Sequence, residues 1–341
     1  MRVLHVLASN KYSGAENVAC QIIKMFDGEI EMAYCSPDGE IAKSLHEKGI
    51  KFFPLQKLSK KNLKKVVEEF KPDVIHAHDL KASYVAFGFK QCKRISTIHV
   101  NHPKMRKLSL RSLLALKILN KFDHIFWVSK SCLDGFYFKN RLKPECTILS
   151  NIINTEKFKN NKKTNEKEYD VLFVGRLTEQ KDPIRLTRIA KKLVDSNPQI
   201  KIAIVGNGEM FDEIKEIVSS DSLKNNVFLL GFINDISRVM KNSKLLLMTS
   251  KFEGTPMCAL EALAAGLPIV STKTDGMCQL IVNGENGFLY DTDDQATDMI
   301  KSLLNNVEIL QKISKNCCEF SDEINNIEHY KSTLLKGYVS S

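Results

Sequence analysis

The 341 residues, 43% hydrophobic and 26% charged, exceed what one ordinary core accommodates, so two globular domains are expected. The net charge of +10 is unevenly divided: residues 1–170 hold 31 Lys+Arg against 18 Asp+Glu, residues 171–341 hold 19 against 22. A basic first half points toward nucleic acid or an anionic membrane as partner. No apolar run approaches the roughly 20 residues that span a bilayer. Met1-Arg2 leads into the short run Val3–Ala8 rather than a secretory leader, and the nine cysteines are scattered without a Cys-x-x-Cys pair. Reduced thiols and a cytoplasmic location are therefore expected.

In chain order, short apolar runs alternate with amphipathic segments, the pattern of βαβ units and parallel sheets. Strands are expected near 2–8, 30–35, 50–54, 73–77, 94–99, 124–128 and 146–149. A second series is expected near 169–174, 200–205, 227–230, 244–248, 268–271 and 287–290, with helices filling most gaps. The stretch Lys157–Glu168 is polar and charged, which is linker composition. The expected division is a domain 1–155, a linker 156–169, a domain 170–320 and a helical tail 321–341. Two doubly wound halves bind ligands at the C-terminal ends of their strands, in the cleft they face.

The densest chemistry lies in Phe252–Pro268. Glu253 and Glu261 are separated by seven residues, and Gly254-Thr255-Pro256 follows the first of them. Pro256 is welcome at a helix start. Met257, Cys258, Ala259 and Leu260 are then a first helical turn whose free N–H groups, with the helix dipole, suit a phosphate. Carboxylates beside a phosphate pocket suit hydroxyls, and phosphate with hydroxyls points to a sugar nucleotide. Cys258 reads as a small packed residue rather than a catalytic thiol. Glu261 sits in an apolar run and needs a partner there.

Arg176 and Lys181 follow the strand ending at Val174. Two cations at a strand end suit a diphosphate; otherwise they are solvated loop charges. Gly14, in the turn Ser9–Ala15 ahead of a helix expected near Glu16, lets backbone approach a ligand. The chain lacks Gly-x-Gly-x-x-Gly at this point, which argues against NAD. His99 ends a strand and reads equally as a donor to a sugar hydroxyl or as a packed histidine. His76 and His78 share one strand face; with no further ligand nearby they read as structural. Asp291-Thr292-Asp293-Asp294 contains Asp-x-Asp but precedes a helix, where Asp is a common cap. Lys104–Lys121 holds six cations, no acid and seven interleaved leucines and isoleucines. It is expected as a basic helix on an anionic membrane surface, or as an ordinary sheet-covering helix with solvated lysines. Lys57–Lys65 adds five lysines. Neither segment carries interleaved aromatics, so no nucleic-acid partner is expected.

Phe252–Pro268 resembles the Glu-x7-Glu signature of the retaining GT-B glycosyltransferases of family four, or group one. Ser13–Glu16, Asp73–His78, Thr97–His99, Trp127–Lys130, Leu149–Asn154, Val174–Leu177 with Lys181, Val205–Gly208 and Asn283–Gly287 agree with it in order, spanning about residues 1–295. The resemblance implies a GT-B fold, two doubly wound Rossmann-like domains facing across a cleft, with the tail crossing back to the first. It implies catalytic roles for Glu253, Arg176, Lys181 and His99. Arg176 and Lys181 would neutralise the leaving diphosphate, Glu253 would contact the donor sugar and Glu261 the ribose. Gly14, Gly175, Asn207, Gly254, Thr255, Met257, Cys258 and Ala259 would complete the donor site, with Ala15 standing where the family often has a second glycine. No metal and no resident cofactor are expected. The expected function is transfer of a sugar from a UDP- or GDP-sugar to a glycan, on a polyprenyl carrier at the inner membrane face, in capsule, O-antigen or exopolysaccharide synthesis. The alternatives are a sugar-nucleotide epimerase or hydrolase of the same fold, or a non-catalytic membrane or nucleic-acid binding protein.

Overall fold

A computed structural model describes all residues except Asn101, Asn154, 160–166, Asp221 and 340–341. Asn154 of the Leu149–Asn154 block, and the 160–166 part of the expected linker, thus lie outside the described residues. The chain forms two compact units, one of Met1–Ile152 together with the segment from Ile327, the other of Ile153–Asn326.

The first unit is built on seven parallel strands: β1 (Arg2–Val6), β2 (Glu31–Pro37), β3 (Phe52–Leu55), β4 (Val74–His78), β5 (Lys93–Ile98), β6 (His124–Trp127) and β7 (Glu145–Ile148). Their order is β3-β2-β1-β4-β5-β6-β7. The central strands are buried throughout, as the near-continuous apolar runs of a sheet covered on both faces require. Neighbours such as Leu4, Ala33, Ile75 and Ile125 join one core. The helix Ile327–Val339 belongs to this unit; Gly337 lies so close to the Phe126 ring that a Cβ there would come within 2.4 Å of it.

The second unit has six parallel strands: β8 (Tyr169–Val174), β9 (Ile202–Val205), β10 (Val227–Gly231), β11 (Ser243–Met248), β12 (Ile269–Thr272) and β13 (Gly287–Tyr290), in the order β10-β9-β8-β11-β12-β13. In both sheets the strand order reverses beside the first strand of the series. The reversal falls between β1 and β4 in one unit and between β8 and β11 in the other, and such switch points are where doubly wound sheets bind ligands.

Some local expectations are revised. The first-unit helix runs Gly14–Met25, so Gly14 is its first residue and the helix starts two residues before Glu16. The basic stretch is not one helix. It holds a 3₁₀ turn, Pro103–Met105, and a helix confined to Leu110–Leu119, because Ser109 and Ser112 form a capping box that starts the helix there. Residues 156–159 of the expected linker form a short helix, Glu156–Lys159.

Candidate active site

In the second unit the loops leaving β8 and β11 are stitched together at the switch point. The Lys251 N–H donates to the Gln180 carbonyl (2.8 Å), and the Gln180 amide donates to the Phe252 carbonyl (3.0 Å). The Thr249 hydroxyl donates to the carbonyls of Lys181 (2.7 Å) and Asp182 (3.0 Å). Asp182 adopts φ +48°, a backbone region costly for a residue with a Cβ, and its carboxylate accepts from the Arg185 N–H at the start of the helix Pro183–Ser196. Such strain persists only where the surroundings impose it, and here the bonds of Thr249 and Arg185 hold it in place.

The result is an ion pair between the Lys181 ammonium and Glu253, whose side chains keep 16% and 6% of their surface. Burial is the largest single influence and opposes the charge on Lys181, but the charge and hydrogen bond of Glu253 together with the Cys258 sulfur outweigh it and hold the ammonium above its ordinary range. The exposed Arg176 adds positive charge that Lys181 senses. Gly175 anchors this loop: its N–H donates to Val205 (3.0 Å), and its carbonyl lies where a Cβ on Gly206 would fall, 1.9 Å away. Gly206 (φ +140°) must therefore be glycine, and Asn207 follows it, its side chain accepting from the Gly208 N–H (2.7 Å).

The helix Met257–Ala264 begins after Pro256, and its residues from Met257 to Leu263 are buried. The expectation of four free N–H groups is corrected. Ala259 and Leu260 donate to the Pro256 carbonyl (3.1 and 3.3 Å). Among the described residues, Met257 and Cys258 are left as the open backbone donors of that turn. Burial pushes the Cys258 thiol up to about 11, so it is an uncharged packed side chain at neutral pH. Gly254 is fixed by Gly276, whose absent Cβ would lie 1.2 Å from the Gly254 carbonyl oxygen. Thr255 lies in the same turn.

Glu261 is buried, with Lys157 beside it at 3.0 Å. Burial raises its pKa above the usual carboxylate value, and Lys157 offsets only part of this. Sequence reasoning asked for a partner but not for Lys157, which lay in the expected linker. The Asp-x-Asp segment is settled by its contacts. Asp293 holds Arg185 (2.7 Å) and Arg188 (2.9 Å), Asp294 holds Lys192 (2.5 Å), and Asp291 holds Lys273. The helix cap is Thr292, in a capping box with Gln295, rather than an Asp.

Gly14 and His99 belong to the other unit. His99 follows β5 and is buried at 7% exposure; its backbone N–H donates to the Asp79 carboxylate (2.8 Å). Asp79 has φ +63°, an unusual conformation next to the end of β4, and was not foreseen. His76 and His78 do have a further imidazole nearby. His5 on β1 is the register partner of His76, and ring nitrogens of all three lie within 4.8 Å of one another. The signal was present as a lone polar residue in the apolar run Val3–Ala8. No described contact links Gly14 to His99.

In the basic stretch, Ala115, Ile118, Leu119 and Met105 are buried, whereas Leu108, Leu110, Leu113 and Leu114 are exposed, Leu110 by 87%. Lys104, Lys107, Ser109, Leu110 and Arg111 line an open groove of about 460 Å³. No helix among the described residues is long and apolar enough to cross a membrane.

Two doubly wound parallel sheets, one carrying a cation–carboxylate pair and an open helix N-terminus at its switch point, form a GT-B architecture. Comparison with known proteins agrees. The model of glycosyl transferases group 1 matches residues 154–319, and that of glycosyltransferase family 4 matches residues 12–157. An uncharacterised glycosyltransferase of Methanocaldococcus jannaschii is 31% identical over 74% of this chain and 71% of its own length. The chain belongs to the group 1 glycosyltransferases. A UDP-Gal:α-D-GlcNAc-diphosphoundecaprenol α-1,3-galactosyltransferase of Escherichia coli is 26% identical, covering 93% of this chain and 91% of that one. The fold matches that of Anabaena HepE, crystallised with UDP and glucose, with a TM-score of 0.87 at 20% identity over the whole of both chains.

Proposed function

We propose that the protein is a retaining, metal-independent glycosyltransferase that moves a sugar from a UDP- or GDP-sugar to a lipid-linked glycan in capsule, O-antigen or exopolysaccharide synthesis, working at the inner face of the cell membrane. The observation that carries the reading is the buried Lys181–Glu253 pair beside Arg176 and the open N–H groups of Met257 and Cys258. Arg176, Lys181 and the helix N-terminus meet the diphosphate, where negative charge grows as the glycosidic bond breaks. Glu253 accepts from hydroxyls of the donor sugar, and Glu261 from the ribose. His99 donates to a sugar hydroxyl. In the transfer step the bond from the anomeric carbon to the phosphate oxygen breaks. The acceptor oxygen bonds that carbon on the same face, and the acceptor hydroxyl proton passes to the departing diphosphate. Arg176 and Lys181 do the work a divalent ion does elsewhere, and the carboxylates of Asp291, Asp293 and Asp294 are already committed to arginine and lysine.

The exposed leucines Leu108, Leu110, Leu113 and Leu114, bordered by Lys104, Lys107 and Arg111, are proposed to dock on an anionic membrane surface, in keeping with an acceptor on a polyprenyl carrier. The lipid-linked substrate in the name of the E. coli relative supports that acceptor class.

The test is nucleoside diphosphate release from a panel of UDP-, GDP- and ADP-sugars, with and without EDTA and membrane lipid extract. Release from one donor, raised by lipid and unaffected by EDTA, is expected. Loss of turnover in EDTA, or equal turnover without any acceptor, would overturn the metal-independent transferase.

A further inference from the structure

Three buried imidazoles form one hydrogen-bonded line in the first unit. His5 Nδ1 lies 3.0 Å from His78 Nε2, and His78 Nδ1 lies 2.9 Å from His99 Nε2. We infer that this line fixes His99 as the Nδ1–H tautomer, so that His99 meets its ligand as a donor, and that His78 and His5 are positioning residues for it.

The argument is a count of protons. Burial lowers the pKa of all three rings, His5 to about 3, so each is neutral and carries one ring proton. Each of the two short contacts holds one proton. Two arrangements then exist. Either every ring is protonated at Nδ1, or every ring is protonated at Nε2. They differ at the two ends of the line. At the inner end, His5 Nε2 is buried and has no partner among the described residues. The Nε2–H arrangement would leave there a buried donor with nothing to receive it, the rarer kind of orphan in folded proteins. The Nδ1–H arrangement leaves only an unused lone pair. At the outer end, the Asp79 carboxylate is held against the His99 backbone N–H, and its negative charge favours positive charge on His99. The Nδ1–H arrangement directs the N–H bonds of His5 and His78 along the line toward the His99 end, where that carboxylate sits. Both ends select the same tautomer.

The neighbouring ring does not join the line. His76 stacks on His78 with ring centres 4.5 Å apart, but its nitrogens are taken by the Tyr338 hydroxyl (2.8 Å) and the Thr97 hydroxyl (2.7 Å). The spacing of His5, His76 and His78 would suit a metal ion, yet an ion there would have to break one of those bonds and leave a buried hydroxyl unpaired.

The inference deepens the glycosyl-transfer reading, since a donor at His99 suits a sugar hydroxyl oxygen. Its test does not depend on turnover. Two-bond ¹H–¹⁵N spectra of the ¹⁵N-histidine-labelled full chain, without substrate, report each ring's tautomer. His99 is assigned by its loss in His99→Gln. The expected result is the Nδ1–H pattern for His5, His78 and His99. An Nε2–H pattern at His99 overturns the inference. His78→Leu cuts the line, so His99 should then show both tautomers, and the donor KM should rise about tenfold. His78→Gln, whose amide still donates to His99 Nε2, should keep the Nδ1–H pattern. An unchanged His99 pattern in His78→Leu would overturn the positioning role even if the enzyme is active. Absence of turnover in the unaltered chain with the Nδ1–H pattern present would instead count against the transferase reading alone. Stoichiometric uptake of Zn²⁺ or Co²⁺ with loss of the ring-proton patterns would replace the relay by a metal site.

Discussion

Breaking the Lys181–Glu253 pair separates what it does for folding from what it does for chemistry. Both side chains are nearly enclosed, so removing one partner strands a buried charge. That costs about 3–5 kcal/mol, far more than the net worth of the intact pair. For a unit of this size, each kcal/mol is about 2–4 °C, so Lys181→Met and Glu253→Gln should each lower the melting temperature of the second unit by roughly 10 °C. The double variant removes both charges together and should cost only about 1 kcal/mol, recovering most of the loss. Turnover follows a different rule. All three variants lose the charge that meets the diphosphate or the hydroxyl acceptor that orients the sugar, and each should fall at least about 100-fold. Calorimetry on the full chain, paired with nucleoside diphosphate release, reads both quantities. A double variant that loses as much stability as the two singles summed would show that the side chains do not share one buried pair. A double variant that regains turnover along with stability would remove them from the chemistry.

Glu261→Gln should weaken nucleotide binding about tenfold, read by calorimetric titration, because it removes a charged acceptor for the ribose hydroxyls. Burial raises the folded pKa of Glu261, so its contribution to stability is full below the ordinary value of 4.5 and is lost as pH rises through the raised folded value. Glu261→Gln should therefore melt no lower than the parent at pH 7, while nucleotide affinity in the parent falls on acidification before an ordinary carboxylate would protonate. Gly276→Ala places a methyl 1.2 Å from the Gly254 carbonyl oxygen; it should cost about 3 kcal/mol and, by shifting Glu253, about 100-fold in turnover, both measurable on one preparation. Arg111→Glu with Lys117→Glu should release the protein from anionic liposomes in a flotation assay, since each basic residue near the surface is worth about 1 kcal/mol and reversal makes it repulsive; unchanged flotation would end the membrane assignment.

The thirteen strands among the described residues were legible because parallel strands covered on both faces are short, continuous apolar runs bounded by polar turns, such as Leu245–Met248 and Ile202–Val205. Helix starts were less legible. Gly14 opens its helix after Ser13, whose hydroxyl donates to Glu16 rather than accepting a cap bond, and the basic stretch stays short because Ser109 and Ser112 cap each other; neither outcome is fixed by which residues stand nearby. The first turn of Met257–Ala264 was placed correctly, but with Pro256 as the residue before the helix its carbonyl takes the Leu260 N–H, as helix geometry requires, and the Ala259 N–H as well.

The site shows where local reading stops. Glu261 was visible because a carboxylate in an apolar run demands a partner, and Glu253 because it stands seven residues earlier, just before the Gly254-Thr255-Pro256 turn. Their partners were not equally visible. Lys181 was found because it follows a strand end, but Lys157 stands 104 positions from Glu261 in a segment whose composition says only that it is solvated. His5 reaches His78 across 73 positions. In each case one member of a buried polar pair is conspicuous and the other is an ordinary residue until the sheet order brings them together. Strand order supplies that missing information: β1 beside β4 sets His5 against His76 in register, and β8 beside β11 sets Lys181 against Glu253. A reader who takes the βα alternation and assumes this reversal of order would recover both clusters from sequence, because the switch point decides which loops are neighbours. Lys157 would still be missed, since the helix Glu156–Lys159 lies outside the alternation.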